Sequence, residues 1–161
     1  MKLKLELTEN IIDKTTKIYE FYVDEKPLSE ILTEFYREEK SILENWANVF
    51  NNPNNIDWEL IIKKQFLLEK ISDSEIEKTF PKTFSKDEIQ KGINRIKEYL
   101  NDENVIIYGC RECGDFECGG YQTKITENNK NFIWTFENEE INKSLILEFD
   151  KKEYLKIFEK T

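Results

Sequence analysis

The chain contains no histidine. Without an imidazole to take a nucleophile's proton, Ser-His-Asp and Cys-His systems are excluded. His-based metal sites, HExxH helices among them, are excluded for the same reason. Glycine and proline are scarce, at five and three in 161 residues. Neither of the phosphate-cradling patterns GxGxxG and GxxxxGK[ST] occurs. No apolar run approaches the ~20 residues that span a bilayer. The opening segment MKLKLELTEN alternates apolar and charged residues, without the apolar stretch or small-residue cleavage site of a signal peptide. A cytoplasmic chain with no membrane contact and reduced thiols is expected. Three cysteines also leave one unpaired in any closed disulfide framework.

What is present is core material and charge. Apolar residues make up 39% of the chain, with 11 Phe, 7 Tyr and 3 Trp. A chain of this length buries roughly two-thirds of its unfolded surface, so neither disulfide nor metal is needed for stability. A single domain over residues 1–161 is expected. Net charge is −9, from 33 acids and 24 bases. Residues 101–161 hold 13 of those acids and 8 of the bases, so the acidity is spread out and is not a tail. A negative field repels phosphate backbones and anionic lipid. Direct nucleic-acid binding is therefore not expected, whereas a basic protein partner is suited.

Leu3, Leu5 and Leu7 alternate with charged residues, the period of a half-buried strand. Residues 15–23 (TTKIYEFYV) supply a second strand, closed by the turn Asp24-Glu25-Lys26-Pro27. Ser29 reads as an N-cap. Ile31, Leu32, Phe35, Tyr36, Ile42, Leu43, Trp46, Val49 and Phe50 follow at helical spacing, as one long helix or two with a break near 40. Asp57 can cap a helix carrying Trp58, Ile61, Ile62, Phe66, Leu67 and Leu68. Three later starts repeat one signature: Ser72-x-x-Glu75, Ser85-x-x-Glu88 and Asp150-x-x-Glu153. Each places a capping oxygen three residues before a Glu, with an apolar staple alongside: Ile71 with Ile76, Phe84 with Ile89, Phe149 with Tyr154. Residues 104–110, 118–126, 131–137 and 144–149 are strand-like, with Phe132, Trp134 and Phe136 on one face. The order of elements predicts an α+β fold, mainly an antiparallel sheet with helices packed on one face.

One motif stands apart. Cys110-x2-Cys113-Gly114-Asp115-x2-Cys118-Gly119-Gly120, together with Gly109, holds every cysteine and four of the five glycines. Cys-x2-Cys-Gly has the shape of a zinc knuckle, and Cys110, Cys113 and Cys118 form a candidate zinc site whose fourth ligand would be Asp115, Glu112, Glu117, a water or another subunit's residue. A redox thiol is a second reading, opposed by Glu112, Asp115 and Glu117, whose charges disfavour a thiolate. A third reading is structural: small buried cysteines and permissive glycines at the corner of a hairpin between 104–110 and 118–126. No residue is singled out as catalytic or as holding an organic cofactor.

Tyr108-Gly109-Cys110-x2-Cys113-Gly114-Asp115-x2-Cys118-Gly119, then Phe132-Ile133-Trp134-Thr135-Phe136, then Leu147-Glu148-Phe149-Asp150-x3-Tyr154 resembles a group of small uncharacterised bacterial proteins. They share a Cys-Gly-Asp/Glu-x-x-Cys turn, a Trp/Phe hairpin and a final Phe-Asp-x-x-x-Tyr helix. The likeness covers about residues 104–158, and Val23-Asp24-Glu25-Lys26-Pro27-Leu28 is similar to the group's strand-turn-helix. The resemblance implies no reaction and no catalytic residues. Distributed acidity without a catalytic constellation points to a non-catalytic protein-binding chain, most concretely an immunity- or antitoxin-type inhibitor of a basic partner. The alternatives are a metal-binding module built on the three cysteines and a nucleic-acid mimic that presents acids at phosphate-like spacing.

Overall fold

The computed structural model describes residues 1–9, 17–37, 44–45, 58–109 and 121–158. The elements in chain order are β1 (Leu3–Glu9), β2 (Lys17–Val23), β3 (Lys26–Pro27), α1 (Leu28–Tyr36), β4 (Glu44–Asn45), α2 (Trp58–Phe66), α3 (Asp73–Lys78), α4 (Lys86–Leu100), β5 (Asn104–Gly109), β6 (Tyr121–Glu127), β7 (Asn131–Asn138), β8 (Lys143–Asp150) and α5 (Lys151–Phe158). The fold is α+β, as its sequence predicts. The strands divide into two antiparallel sheets, with orders β1-β2-β3 and β4-β5-β6-β7-β8.

Glycine scarcity leaves its mark on the turns. Asp24, Glu25, Arg37, Leu68 and Asn142 all take positive φ, a region that glycine occupies without steric cost. Asp24 and Glu25 form the two-residue connection between Val23 and Lys26, where both central residues need that conformation to match the strand twist. Asp24 also accepts the Lys2 backbone N–H at 2.7 Å, tying the turn to the start of β1.

The two sheets enclose the larger core. Phe132, Trp134 and Phe136 of β7 point inward, all nearly inaccessible, as their alternation predicts. Trp134 meets Phe21 of β2 edge to face at 5.5 Å, joining the sheets across the core. α1 contributes Leu28 and Leu32, α2 contributes Phe66, and α5 contributes Tyr154 and Phe158. These helices all lie on the inner side of the five-stranded sheet. A smaller core gathers Ile61 of α2, Ile76 of α3, Phe80, and Ile93 and Ile96 of α4. α2 serves both cores, Phe66 facing one and Ile61 the other.

The local capping signatures form as written. Ser72 and Glu75 make a reciprocal capping box, Glu88 N–H donates to Ser85 Oγ at 3.2 Å, and Glu153 N–H donates to Asp150 Oδ1 at 3.1 Å. Two expectations are corrected. Ser29 is not an N-cap: α1 begins at Leu28 after Pro27, and the Ser29 hydroxyl donates instead to Glu20 Oε2 at 2.6 Å. The one long helix through residue 50 does not form either, and residues 38–43 and 46–50 of that reading lie outside the described residues. α1 ends at left-handed Arg37, and Glu44–Asn45 pair as a strand with Gly109 and Tyr108. The expected Asp57 cap lies outside the described residues.

Candidate functional site

Cys110, Cys113, Asp115 and Cys118 lie outside the described residues. The strands that flank them are described. β5 and β6 pair antiparallel up to Tyr108 opposite Tyr121, so the two ends of the glycine- and cysteine-rich connection leave the sheet side by side, as the hairpin reading requires. Tyr121 stacks flat on Tyr36 at 5.0 Å, and Tyr108 meets Tyr121 edge on at 6.2 Å. The Tyr36 hydroxyl donates to the Glu137 carbonyl at 3.1 Å, which fastens the end of α1 to the end of β7. Among the described residues no group of three Cys, Asp or Glu is placed to hold a metal ion.

Directly behind this tyrosine cluster sits a buried carboxyl. Glu20 of β2 is 5% exposed. It accepts from three donors: the Ser29 hydroxyl, the Phe21 backbone N–H at 2.8 Å and the Tyr108 hydroxyl. Tyr108 reaches it because the β5–β6 register shifts between Ile106 and Tyr108, a bulge that turns two successive side chains, Ile107 and Tyr108, inward. Burial pushes the Glu20 carboxyl above its ordinary range, and the hydrogen bonds from Ser29, Tyr108 and Phe21 oppose that shift. Burial and then the charge of Glu20 push the Tyr108 phenol well above its own range. No cation contacts the carboxyl among the described residues. The arrangement ties β2, α1 and β5 together through one polar node. The sequence offers no signal for it, because glutamate between Tyr19 and Phe21 in an alternating strand reads as the solvent face.

The third feature is the edge of the five-stranded sheet. β8 pairs with β7 without interruption from Asn131 opposite Asp150 to Asn138 opposite Lys143. Its other edge has no neighbouring strand among the described residues. Leu147 and Phe149 point inward, while Ser144, Ile146, Glu148 and Asp150 point outward. Ile146, at mid-strand, is 52% exposed. Proteins commonly blunt such edges with proline, bulges or lysine, since an unpaired row of N–H and C=O groups is a template for another strand. β8 carries no proline and no bulge, and only Lys143 at its start. Four consecutive hairpin-connected strands put the last one at an edge, so this position was accessible from the strand order alone.

No family model, no curated protein and no solved structure matches the chain. Among the described residues no helix is long and apolar enough to cross a membrane.

Proposed function

We propose that this chain is a binding protein for a basic protein partner, an inhibitor of the immunity or antitoxin kind, and that it receives an extended segment of that partner along the free edge of β8. The observation that carries the reading is the uninterrupted eight-residue edge strand with Ile146 exposed at its centre and Glu148 and Asp150 beyond it. Main-chain pairing along the edge supplies affinity, and alternate side chains supply selectivity. The net charge of −9 selects for a basic segment and speeds its encounter.

The mixed character of the surface favours this reading over a nucleic-acid mimic. Lys4 pairs with Glu25, Lys26 with Glu34, Lys64 with Glu69, Lys97 with Asp73, Lys151 with Glu127 and Lys156 with Glu153. Lysines set among the acids break up the unbroken rows of negative charge that imitation of a phosphate backbone calls for.

The experiment is affinity capture with the intact chain and with its Ile146→Lys variant, followed by hydrogen exchange on the complex recovered. The reading requires a basic partner that the variant loses, that dissociates as salt rises, and that protects backbone amides over residues 143–150. Equal capture by both chains, or protection confined to other elements, rejects it.

A further inference from the structure

A cleft of about 540 Å³ opens between the end of α2, the end of α4 and the β5–β6 pair. Its volume lies in the range of small-molecule sites. Leu68, Leu100 and Ile125 provide apolar walls, and Gln65 lines the base. Three independent observations single this cleft out.

The first is Gln65. The residue is 9% exposed, and neither its amide oxygen nor its amide nitrogen has a hydrogen-bond partner in the protein. Buried polar side chains are nearly always satisfied, and leaving both halves of a carboxamide unpaired is costly. Among the described residues no other buried side chain has this property. The second is Leu68. It stands 42% exposed at the mouth with φ of 57°, a conformation that disfavours any residue with a Cβ. Strained backbone persists where the surrounding structure holds it, and such positions gather at ligand sites. The third is the charge around the rim. Lys97 is engaged by Asp73 at 3.1 Å, Lys124 by Glu103 at 3.9 Å, and Glu69 by Lys64 at 3.0 Å. Lys70 is exposed and has no ion-pair partner among the described residues.

We infer that this cleft is a binding site for a small monoanion bearing a planar amide or lactam edge. A carboxamide presents one donor and one acceptor side by side, so its complement is a flat group with the same pair in reverse order, as in bidentate recognition of nucleobase edges by glutamine. Lys70 meets the single negative charge, and Leu68 and Leu100 cover the apolar body. Both polar atoms of the Gln65 amide are enclosed, so binding requires its side-chain torsions to turn the carboxamide towards the cleft. Polyanions are disfavoured by the acids that share the rim, which include Asp102 and Glu103.

Two sources of the same chemistry are distinguished by two probes, orotate for the heterocyclic lactam and N-acetylglutamine for the acyl amide. Each is titrated into the full ¹⁵N-labelled chain while the Gln65 side-chain NH2 resonances and the backbone amides of residues 68–71 and 100–103 are followed. Saturable shifts at those positions with at least one probe are expected, and the tighter probe identifies the source. Gln65→Met keeps the volume and removes both polar atoms. It is expected to weaken binding about tenfold or more while leaving thermal stability equal or higher, since an unpaired amide is gone. Lys70→Gln, a surface change, is expected to weaken the same probe about threefold or more at low salt. The inference is overturned by the absence of saturable shifts with either probe up to about 10 mM. It is equally overturned by unchanged affinity in Gln65→Met or in Lys70→Gln.

Discussion

The hydroxyl of Tyr154 on α5 accepts the indole N–H of Trp134 on β7 at 3.0 Å and donates to the Phe66 carbonyl at the end of α2 at 2.9 Å. Both rings are completely buried. One oxygen therefore satisfies a donor and an acceptor that water cannot reach, and it links the sheet to two helices. Tyr154→Phe keeps the ring, including its stack on Phe132 at 4.2 Å, and orphans both partners. The expected cost is about 2 kcal/mol, because two buried polar groups lose their only complement. Urea unfolding checks it: the midpoint falls at unchanged slope. A loss under about 0.5 kcal/mol contradicts the relay.

Glu20 gives the chain a specific dependence on pH. Its carboxyl is raised above the ordinary value of 4.5 by burial. Protonation is thus easier in the folded state than in the unfolded one. The group's contribution to stability is fully present below about 4.5 and is lost as pH rises through the raised folded value. Glu20→Gln retains an oxygen for Ser29 or Tyr108 and cannot ionise. The variant is expected to show a flatter melting-temperature profile from pH 4 to pH 7 than the parent, with its relative stability improving towards neutrality. Parallel profiles for the two proteins would sink this assignment.

The helix starts were legible because a capping box spans only three residues, and Ser72, Ser85 and Asp150 each carry the whole instruction locally. Ser29 has the same local appearance, yet its hydroxyl serves Glu20, a partner on another element that no window around residue 29 contains. Glu44–Asn45 sit within an apolar pattern of helical period, and pairing with Gly109 and Tyr108 overrides it. The cores follow from alternation in β7 and from period in α4, since apolar side chains declare themselves. The polar interior does not. Glu20 and Gln65 carry residue types that belong on surfaces, and only the surrounding fold reveals that they are enclosed. The cysteine motif was visible at once as a candidate site, and the β5–β6 pairing bears out the hairpin strands that flank it.

Gly92 lies in the middle of α4, where its cost is about 1 kcal/mol relative to alanine. The packing explains it. A Cβ at this position would overlap the ring of Phe80, which is itself held against Phe84 at 5.8 Å within the smaller core. Gly92→Ala is expected to destabilise by about 1–2 kcal/mol, overpacking outweighing the gain in helix propensity. In a Phe80→Leu background the same substitution becomes neutral or favourable. A double-mutant cycle by thermal or chemical unfolding reads the coupling directly, and strict additivity contradicts the contact.

Leu68 closes α2 in the geometry glycine normally serves. Its N–H donates to the Gln65 carbonyl at 3.2 Å and the Glu69 N–H donates to the Lys64 carbonyl at 2.9 Å, the paired bonds of a Schellman ending. The apolar contact that usually spans this ending is replaced by the Lys64–Glu69 ion pair at 3.0 Å. Leu68→Gly relieves the left-handed strain and gives up a side chain that is already 42% exposed. The folded state is expected to gain about 0.5–1 kcal/mol, the relief exceeding the added freedom of glycine in the unfolded chain. In the inferred site the Leu68 side chain covers the ligand at the mouth of the cleft. The same variant should therefore melt higher and bind the amide probe more weakly. A lower melting temperature shows that the Leu68 side chain supports the fold, and unchanged binding shows that it does not cover the ligand.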